Sequence, residues 1–174
     1  MKGLKKINRG LLLTLAVAVV VLIYIIVLSI KVENMKDDAE RFLNGFLAAD
    51  AGWKVIPEEY KEDYEGYISE IGPAVRKYFA DEGAYDYYIE NNIHAQYRMQ
   101  TFYQAYDASL MQNSGSGYDN GILSVRYMIS SSGKTDKNGF QTDMGWNQYA
   151  FSLKEGEGGL QIYYLNYGIE GSGY

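Results

Sequence analysis

The sequence predicts an α+β fold behind a membrane-spanning helix, and three observations support this. Residues 11–30 are apolar and long enough to cross a bilayer as a helix. Apolar residues then recur at helical spacing over residues 32–79. From residue 93 they alternate with polar residues, as in half-buried strands. Helices followed by a run of strands indicate two or three helices packed on a four-stranded antiparallel sheet.

The apolar segment, LLLTLAVAVVVLIYIIVLSI, is interpreted as an uncleaved anchor. A secretory signal has an apolar core of only ~7–15 residues, followed by a small-x-small cleavage site. The pattern of that kind present here, Ala16-Val17-Ala18, lies inside the apolar run. We therefore expect a single span, anchored by Leu11, Leu15, Val19, Ile23, Ile26 and Ile30.

Charge predicts the orientation of the span. Four basic residues precede it, and this bias predicts a cytoplasmic N-terminus. Of the 16 Lys and Arg residues, 12 then remain in the exported part against all 22 Asp and Glu, so that part carries a charge of about −10. This acidity argues against nucleic acid as a partner. The basic residues are Lys2, Lys5, Lys6 and Arg9.

The absence of cysteine excludes disulfides and thiol chemistry, and the chain has no N-glycosylation sequon. Both features fit a bacterial cell-envelope protein. We expect a cytoplasmic basic tail at 1–10, the span at 11–30, a juxtamembrane helix at 31–52, an extracytoplasmic α+β domain at 53–170 and a flexible tail at 171–174.

Three helical segments are predicted after the span. The apolar stripe over 32–47 predicts a helix that leaves the membrane and ends near Gly52. A second helix should begin at Pro57, a favoured first helical residue. Gly72-Pro73 should end it, and a short third helix should follow. The inward faces are Tyr60, Tyr64, Tyr67, Ile68 and Ile71 in the second helix, and Val75, Tyr78 and Phe79 in the third.

Four strands are predicted, at residues 93–107 and at about 119–132, 139–153 and 160–170. The glycine-rich stretch NSGSGYDNG is predicted to be a loop, and SSGKTDKNG and KEGEGG to be hairpin turns. The last strand, LQIYYLNYGI, is apolar on both faces, which predicts that it is either central in the sheet or covered on both sides.

The sequence favours no catalytic, cofactor or metal site. The single histidine, His94, is expected at a strand edge on the surface. Asp119 and Asn120 before Gly121 lack the further oxygen ligands of a calcium loop. We therefore expect a protein that is not an enzyme and has no cofactor.

Tyrosine is over-represented, with 18 in the chain. A tyrosine ring buries apolar area while its hydroxyl remains in water, so the residue is common at interfaces. The segment AYDYYIENN at 84–92 has no clear period and is predicted to be an exposed contact patch. The candidate partner contacts are Tyr85, Tyr87, Tyr88, Tyr163 and Tyr167.

Helices followed by MGWNQYAFSL and GGLQIYYLNYG resemble the cone-shaped nuclear-transport-factor-2-like fold and its closing hairpin. With a basic tail and one span, the chain is similar to the bitopic inner-membrane assembly component of type IV secretion and conjugation machines. In enzymes of this fold, an Asp, His or Tyr inside the cone does the acid–base work. The resemblance makes Asp107, Asp143, Tyr97 and Tyr103 the candidates for such a role here.

The main hypothesis is a scaffold subunit of an envelope machine, which binds the other subunits. A free hydrophobic strand face would in addition predict a homo-oligomer. A small-ligand-binding or enzymatic cone domain is one alternative. A second alternative is a pilin or pseudopilin, because a basic leader ending at Gly10 precedes the apolar helix. That family has Ser or Thr at the second mature position and Glu at the fifth, where this chain has Leu12 and Leu15.

Overall fold

The computed structural model describes residues 9–137 and 145–167. The chain divides into two units, Met1–Lys36 and Asp37–Tyr174. The charged residues Lys2, Lys5 and Lys6 lie outside the described residues.

Helix α1 runs from Arg9 to Lys54 and ends two residues after Gly52. Within the described residues it is the one helix long and apolar enough to cross a membrane. Its apolar window is wholly unburied, as expected for side chains that face lipid. The exposed residues include Leu15, Val19, Ile23, Ile26 and Ile30.

Helix α2 spans Tyr64–Arg76 and follows a short 3₁₀ turn at Glu58–Tyr60. It begins where the Asp63 side chain accepts a hydrogen bond from the Gly66 amide. The expected break at Gly72-Pro73 is wrong, because Pro73 lies inside the helix. A proline inside a helix removes one hydrogen bond and crowds the carbonyl four residues before it, at a cost of about 3 kcal/mol. The buried stripe of Tyr67, Ile71 and Val75, spaced four residues apart, holds the helix together across it.

The predicted strand at 93–107 is also wrong over residues 93–102, because β1 begins only at Tyr103. Helix α3, Glu82–Tyr88, continues into a π-helical turn at Ile89–His94 and into helix α4, Ala95–Met99. The buried residues Ile89, Ile93 and Tyr97 recur every four positions, so burial follows the helical period. Gln100 ends α4 in the left-handed conformation.

Strands β1 (Tyr103–Asp119), β2 (Ile122–Thr135), β3 (Gly145–Gly156) and β4 (Gly159–Tyr167) form one curved antiparallel sheet in the order β1-β2-β3-β4. The predicted loop NSGSGYDNG is mostly the end of β1. Only Asn120 and Gly121 turn the chain, both with positive φ, as a tight hairpin requires. The start of the predicted strand at 139–153 and the end of that at 160–170 lie outside the described residues, as does the tail at 171–174.

Strand β4 lies at an edge of the sheet and leaves Tyr163 and Tyr164 exposed, so the prediction that it is central or covered on both sides is wrong. The apolar residues of this strand lie in two different environments. Ile162 and Leu165 are buried against the domain, whereas Tyr163 and Tyr164 are exposed, because a register shift opposite Ser152 interrupts the alternation. The edge is partly paired: the Ile162 amide donates to the Tyr78 carbonyl at 2.7 Å.

The core lies between the helices and one face of the sheet. Phe46 of α1 is central to it, with ring contacts to Tyr78, Phe79, Tyr88 and Phe151. The sequence prediction of an α+β fold with helices on an antiparallel sheet is confirmed. The buried sheet residues are Leu123, Val125, Tyr127, Ile129, Phe151, Leu153, Ile162 and Leu165.

Candidate functional site

A buried ion pair lies in the last turn of α1. The Lys54 Nζ atom is 3.0 Å from the Asp50 Oδ2 atom, and only 7% and 5% of these side chains is exposed. The hydroxyl of Tyr88 donates to the other carboxylate oxygen, Asp50 Oδ1, at 2.6 Å. Lys54 also donates to the Tyr106 hydroxyl at 3.2 Å and lies 4.3 Å from the centre of that ring. The two charges are therefore compensated inside the protein.

Electrostatics keep this cluster in one protonation state. Burial, the largest single effect, lowers the pKa of Lys54, but Asp50 together with Tyr106, Tyr167 and Tyr149 outweighs it, and the lysine pKa lies well above its ordinary value. Burial and the neighbouring Asp50 raise the pKa of the Tyr88 hydroxyl well above its ordinary range. At neutral pH the lysine is thus charged and the tyrosine is neutral.

Two amide side chains extend the network to the helices and the sheet. The Gln96 amide nitrogen donates to the Lys54 carbonyl at 3.1 Å, and the Gln96 amide oxygen accepts from the Tyr103 amide at 3.1 Å. Asn92 donates to the Tyr88 carbonyl at 2.8 Å and to the Tyr167 hydroxyl. The C-terminal end of α1 is thereby fixed to the helical segment 89–99 and to strand β1. We call these residues the buried polar network: Asp50, Lys54, Tyr88, Asn92, Gln96, Tyr106 and Tyr167.

The network consists of groups that satisfy one another. Of the buried side-chain nitrogen and oxygen atoms in the described residues, Thr135 Oγ1 alone lacks a hydrogen-bond partner. A cavity of about 120 Å³ lies nearby, lined by Ala105, Tyr106, Asp107, Ser132, Gly133 and Lys134. No group of three or more His, Cys, Asp or Glu in the described part of the chain could hold a metal ion.

Three of the four residues that the cone-fold resemblance offered for acid–base work are described, and they lie in different surroundings. Asp107 is exposed on β1, and the Tyr97 hydroxyl donates to the Tyr60 carbonyl at 2.8 Å. Tyr103 lies against Gly133 at the start of β1, and Asp143 lies outside the described residues. His94 lies in the π-helical turn and not at a strand edge, 2.5 Å from the Glu90 carboxylate, which also binds Arg98 at 2.6 Å. Hydrogen bonding to His94 and Arg98 lowers the pKa of Glu90.

The predicted contact tyrosines divide into buried and exposed ones. Tyr88 is fully buried and cannot belong to an exposed patch, because α3 turns it towards Asp50. Tyr85 is half-buried beside Phe79 and Arg76. Tyr87 is 39% exposed and stacks on Tyr167, with ring centres 5.8 Å apart and planes 17° apart.

The Tyr87–Tyr167 pair therefore joins α3 to β4 at the surface. The Tyr167 ring is half-buried, while its hydroxyl is held inside by Asn92. Burial raises the pKa of this hydroxyl, and Lys54 partly opposes that effect. Tyr163, also on β4, is 43% exposed.

The ion pair was not predicted from the sequence, although the sequence carries a signal for it. Leu43, Leu47, Asp50 and Lys54 follow one another at intervals of four, three and four residues, which places all four on one face of α1. Two opposite charges that continue a buried apolar stripe indicate a buried pair.

No known family model matches the chain, and no curated protein is similar to it. Among solved structures, the intermembrane space region of the chloroplast protein ARC6 is 10% identical over 76% of this chain and 95% of that one, with a TM-score of 0.49. Bd1075 of Bdellovibrio bacteriovorus is 15% identical, with a TM-score of 0.46; the match covers 79% of this chain but only 41% of that one. Likeness at this level transfers no function.

The chain's own features define a coarse class of protein. It combines one helix that can span a membrane with a separate α+β unit that has its own core. This is the build of a membrane-anchored module.

Proposed function

We propose that this protein is a membrane-anchored extracytoplasmic interaction module that works by binding another protein and not by catalysis. The observation that carries the proposal is the stack of the exposed Tyr87 on the half-buried Tyr167 at the junction of α3 and β4. Aromatic residues that stay accessible on a folded domain are enriched where partners dock.

The geometry of the stack favours recognition. Asn92 holds the Tyr167 hydroxyl, and the Tyr167 ring in turn supports Tyr87. A ring that is already fixed loses little conformational entropy on binding, so more of its contact energy remains for affinity. Tyr163 adds a second exposed ring on the same strand.

The interior supports binding over catalysis. In the buried polar network, the ionic and hydroxyl groups that could act as acid or base already bond to one another. A general base must reach a substrate proton at hydrogen-bonding distance, whereas these groups form their hydrogen bonds within the protein. The absence of an enzymatic role is part of the proposal.

The finer assignment is a scaffold subunit of a bacterial conjugation or type IV secretion channel, with the N-terminus in the cytoplasm. Its support is the order of the parts: basic residues, one apolar helix and an α+β domain, as in the bitopic assembly components that the chain resembles. A scaffold of this kind also contacts other copies of itself.

The test is photo-crosslinking in the native host, with a photoreactive residue in place of Tyr87 in one strain and of Tyr163 in another. Glu59 is the matched control, because it is exposed on the 3₁₀ turn, outside α3 and β4. The proposal expects protein adducts from Tyr87 and none from Glu59. Adducts to secretion-machine subunits support the finer assignment. If neither tyrosine position captures a protein, the interaction module is wrong.

A further inference from the structure

The two edge strands of the sheet differ in what covers them. At the β4 edge, the Ile162 amide donates to the Tyr78 carbonyl at 2.7 Å, and the Ala80 amide donates to the Ile162 carbonyl at 2.9 Å. Helix α3 also packs beside β4. Strand β1, at the opposite edge, pairs with β2 alone. Within residues 9–137 and 145–167, no other element forms a backbone hydrogen bond with the free edge of Ala105–Leu110.

The open part of β1 is its regular first half. Residues Ala105–Leu110 pair with β2 without interruption, and register shifts follow after Leu110 and after Asn113. In the second half the Gly115 amide donates to the Asn113 side chain at 2.8 Å, so this irregular part satisfies its own backbone. At the other end, the Tyr103 amide donates to the Gln96 side chain at 3.1 Å. The free edge is therefore limited to the six residues from Ala105 to Leu110.

The backbone of this stretch is suited to another polypeptide. In an antiparallel pair, alternate residues direct both their N–H and their C=O away from the partner strand. Three of the six residues of Ala105–Leu110 therefore present both groups at the free edge. Edge strands are commonly protected by Lys or Pro, and Tyr103–Asp119 contains neither. Alternating donors and acceptors at this spacing match the backbone of an added strand.

The side chains on the core side of this stretch leave the core open at its margin. Tyr106, Ala108 and Leu110 face the core side but are only half-buried, whereas their neighbours on β2 are buried. An added strand with an apolar residue at every second position would cover them, as cross-strand neighbours do within a sheet. The buried neighbours on β2 are Gly133, Ser131 and Ile129.

Charge favours a cationic strand from another protein. Asp107 is exposed at the centre of the stretch, and Lys134, opposite Ala105, is its cationic neighbour on β2. Among the described residues, no ion pair includes either of them. The residues beyond the span carry about ten more acidic than basic groups. A second copy of the chain would bring the same excess and be repelled, whereas a basic segment is attracted.

We infer that the free edge of β1 at Ala105–Leu110 binds an extended, cationic segment of another protein as a fifth strand of the sheet. The apolar residues of that segment lie at alternate positions and cover Tyr106, Ala108 and Leu110. Its Lys or Arg residues lie between them on the opposite face, where one of them meets Asp107. Strands β2 and β3 separate this edge from β4 and the Tyr87–Tyr167 stack, so the site is distinct from the protein contact proposed above.

The test uses the full chain in non-ionic detergent and a labelled peptide of about eight residues in which Val and Lys alternate. Fluorescence anisotropy measures binding, and we expect the peptide to bind. The same peptide with every backbone nitrogen methylated keeps its charge but has no N–H donors, so it should not bind. A peptide of alternating Val and Glu should bind more weakly than the Lys peptide.

Residue-resolved hydrogen exchange locates the site. In the free chain, alternate amides of Ala105–Leu110 should exchange rapidly, because they face the open edge. With the Lys peptide present at about 100 times its Kd, these amides should exchange about a hundredfold more slowly. Protection of all six amides in the free chain would show that the edge is already occupied and would overturn the proposal.

Asp107→Asn should weaken binding of the Lys peptide about threefold at low salt, as expected for an exposed ion pair. Asp119→Asn is the matched control, because it removes the same charge from an exposed residue of β1 beyond both register shifts. It should leave binding unchanged, and circular dichroism checks that both variants are folded. Equal losses in the two variants, or equal binding of the methylated peptide, would overturn the fifth-strand site. Asp107→Asn should not change the Tyr87 crosslinks, so the two proposals fail independently.

Discussion

Lys54 and Asp50 form an ion pair one helical turn apart, 3.0 Å between Nζ and Oδ2, inside the core of the α+β unit. Removing the lysine leaves a buried carboxylate supported by the Tyr88 hydroxyl alone. We expect Lys54→Met to lower the free energy of unfolding by about 3–5 kcal/mol. Denaturant unfolding of the full chain in detergent measures this loss.

The matched control for that prediction is Arg41→Met, which breaks the exposed Arg41–Asp38 pair and should cost no more than about 1 kcal/mol. The double variant Asp50→Leu/Lys54→Met should recover most of the stability lost in Lys54→Met, because no unpaired charge remains. Equal losses in Lys54→Met and Arg41→Met would contradict a buried pair.

Stability should fall steeply in alkali. Several buried groups have a folded-state pKa above the unfolded one. Among them are Lys54, held charged by Asp50 against its burial, and Tyr88 and Tyr67, whose pKa values burial raises, that of Tyr67 to about 12. The folded state then binds more protons than the unfolded chain above about pH 10. These groups contribute their full stability below about pH 10 and lose it as the pH rises through the folded pKa values.

Unfolding free energies measured across the alkaline range, together with tyrosinate absorbance, check this dependence. Tyr67→Phe should reduce the loss of unfolding free energy between pH 10 and 12 by on the order of 2 kcal/mol. The same variant also loses the 2.7 Å hydrogen bond to the Trp53 carbonyl, so it is less stable at neutral pH. If the unfolding free energy of the wild-type chain stays constant above pH 10, the raised pKa values are wrong.

Gly133 should not tolerate a side chain. A Cβ atom there would lie 2.5 Å from Tyr103 Cε1 and 3.2 Å from Tyr106 Cδ2. Since both rings would have to move, and Tyr106 also holds Lys54, we expect Gly133→Ala to destabilise the chain by about 1–3 kcal/mol. Gly115→Ala, where β1 offers open space, is the control, and thermal unfolding compares the two. Equal melting temperatures would show that the ring packing is not tight.

The N-terminus should stay intact. A pilin would be cleaved after Gly10, but Leu12 and Leu15 replace the residues of that family's pattern. We expect the mass of the protein extracted from host membranes to include residues 1–10. A mass lower by those ten residues would favour the pilin alternative and remove the basic residues that predict the orientation.

Part of the candidate site was accessible from the sequence. Tyr87 and Tyr167 were both expected to be partner contacts, but nothing local showed that they would stack, since they lie on α3 and β4. Tyr88 was misassigned because the segment 84–92 shows no simple period where α3 passes into a π-helical turn. Only the packing of that segment against α1 turns Tyr88 towards Asp50.

Local patterns determined the membrane helix, the amphipathic continuation of α1, the change from helices to strands and the α+β class, because each depends on neighbours a few residues away along the chain. The tertiary structure decided what depends on distant partners. Burial against the core made residues 89–99 helical although their polarity alternates, and strand order placed the apolar β4 at an edge. Long-range contacts with Tyr88 and Tyr106 likewise made Asp50 and Lys54 a stable buried pair, because a charge can stay in a core only where other elements bring it partners.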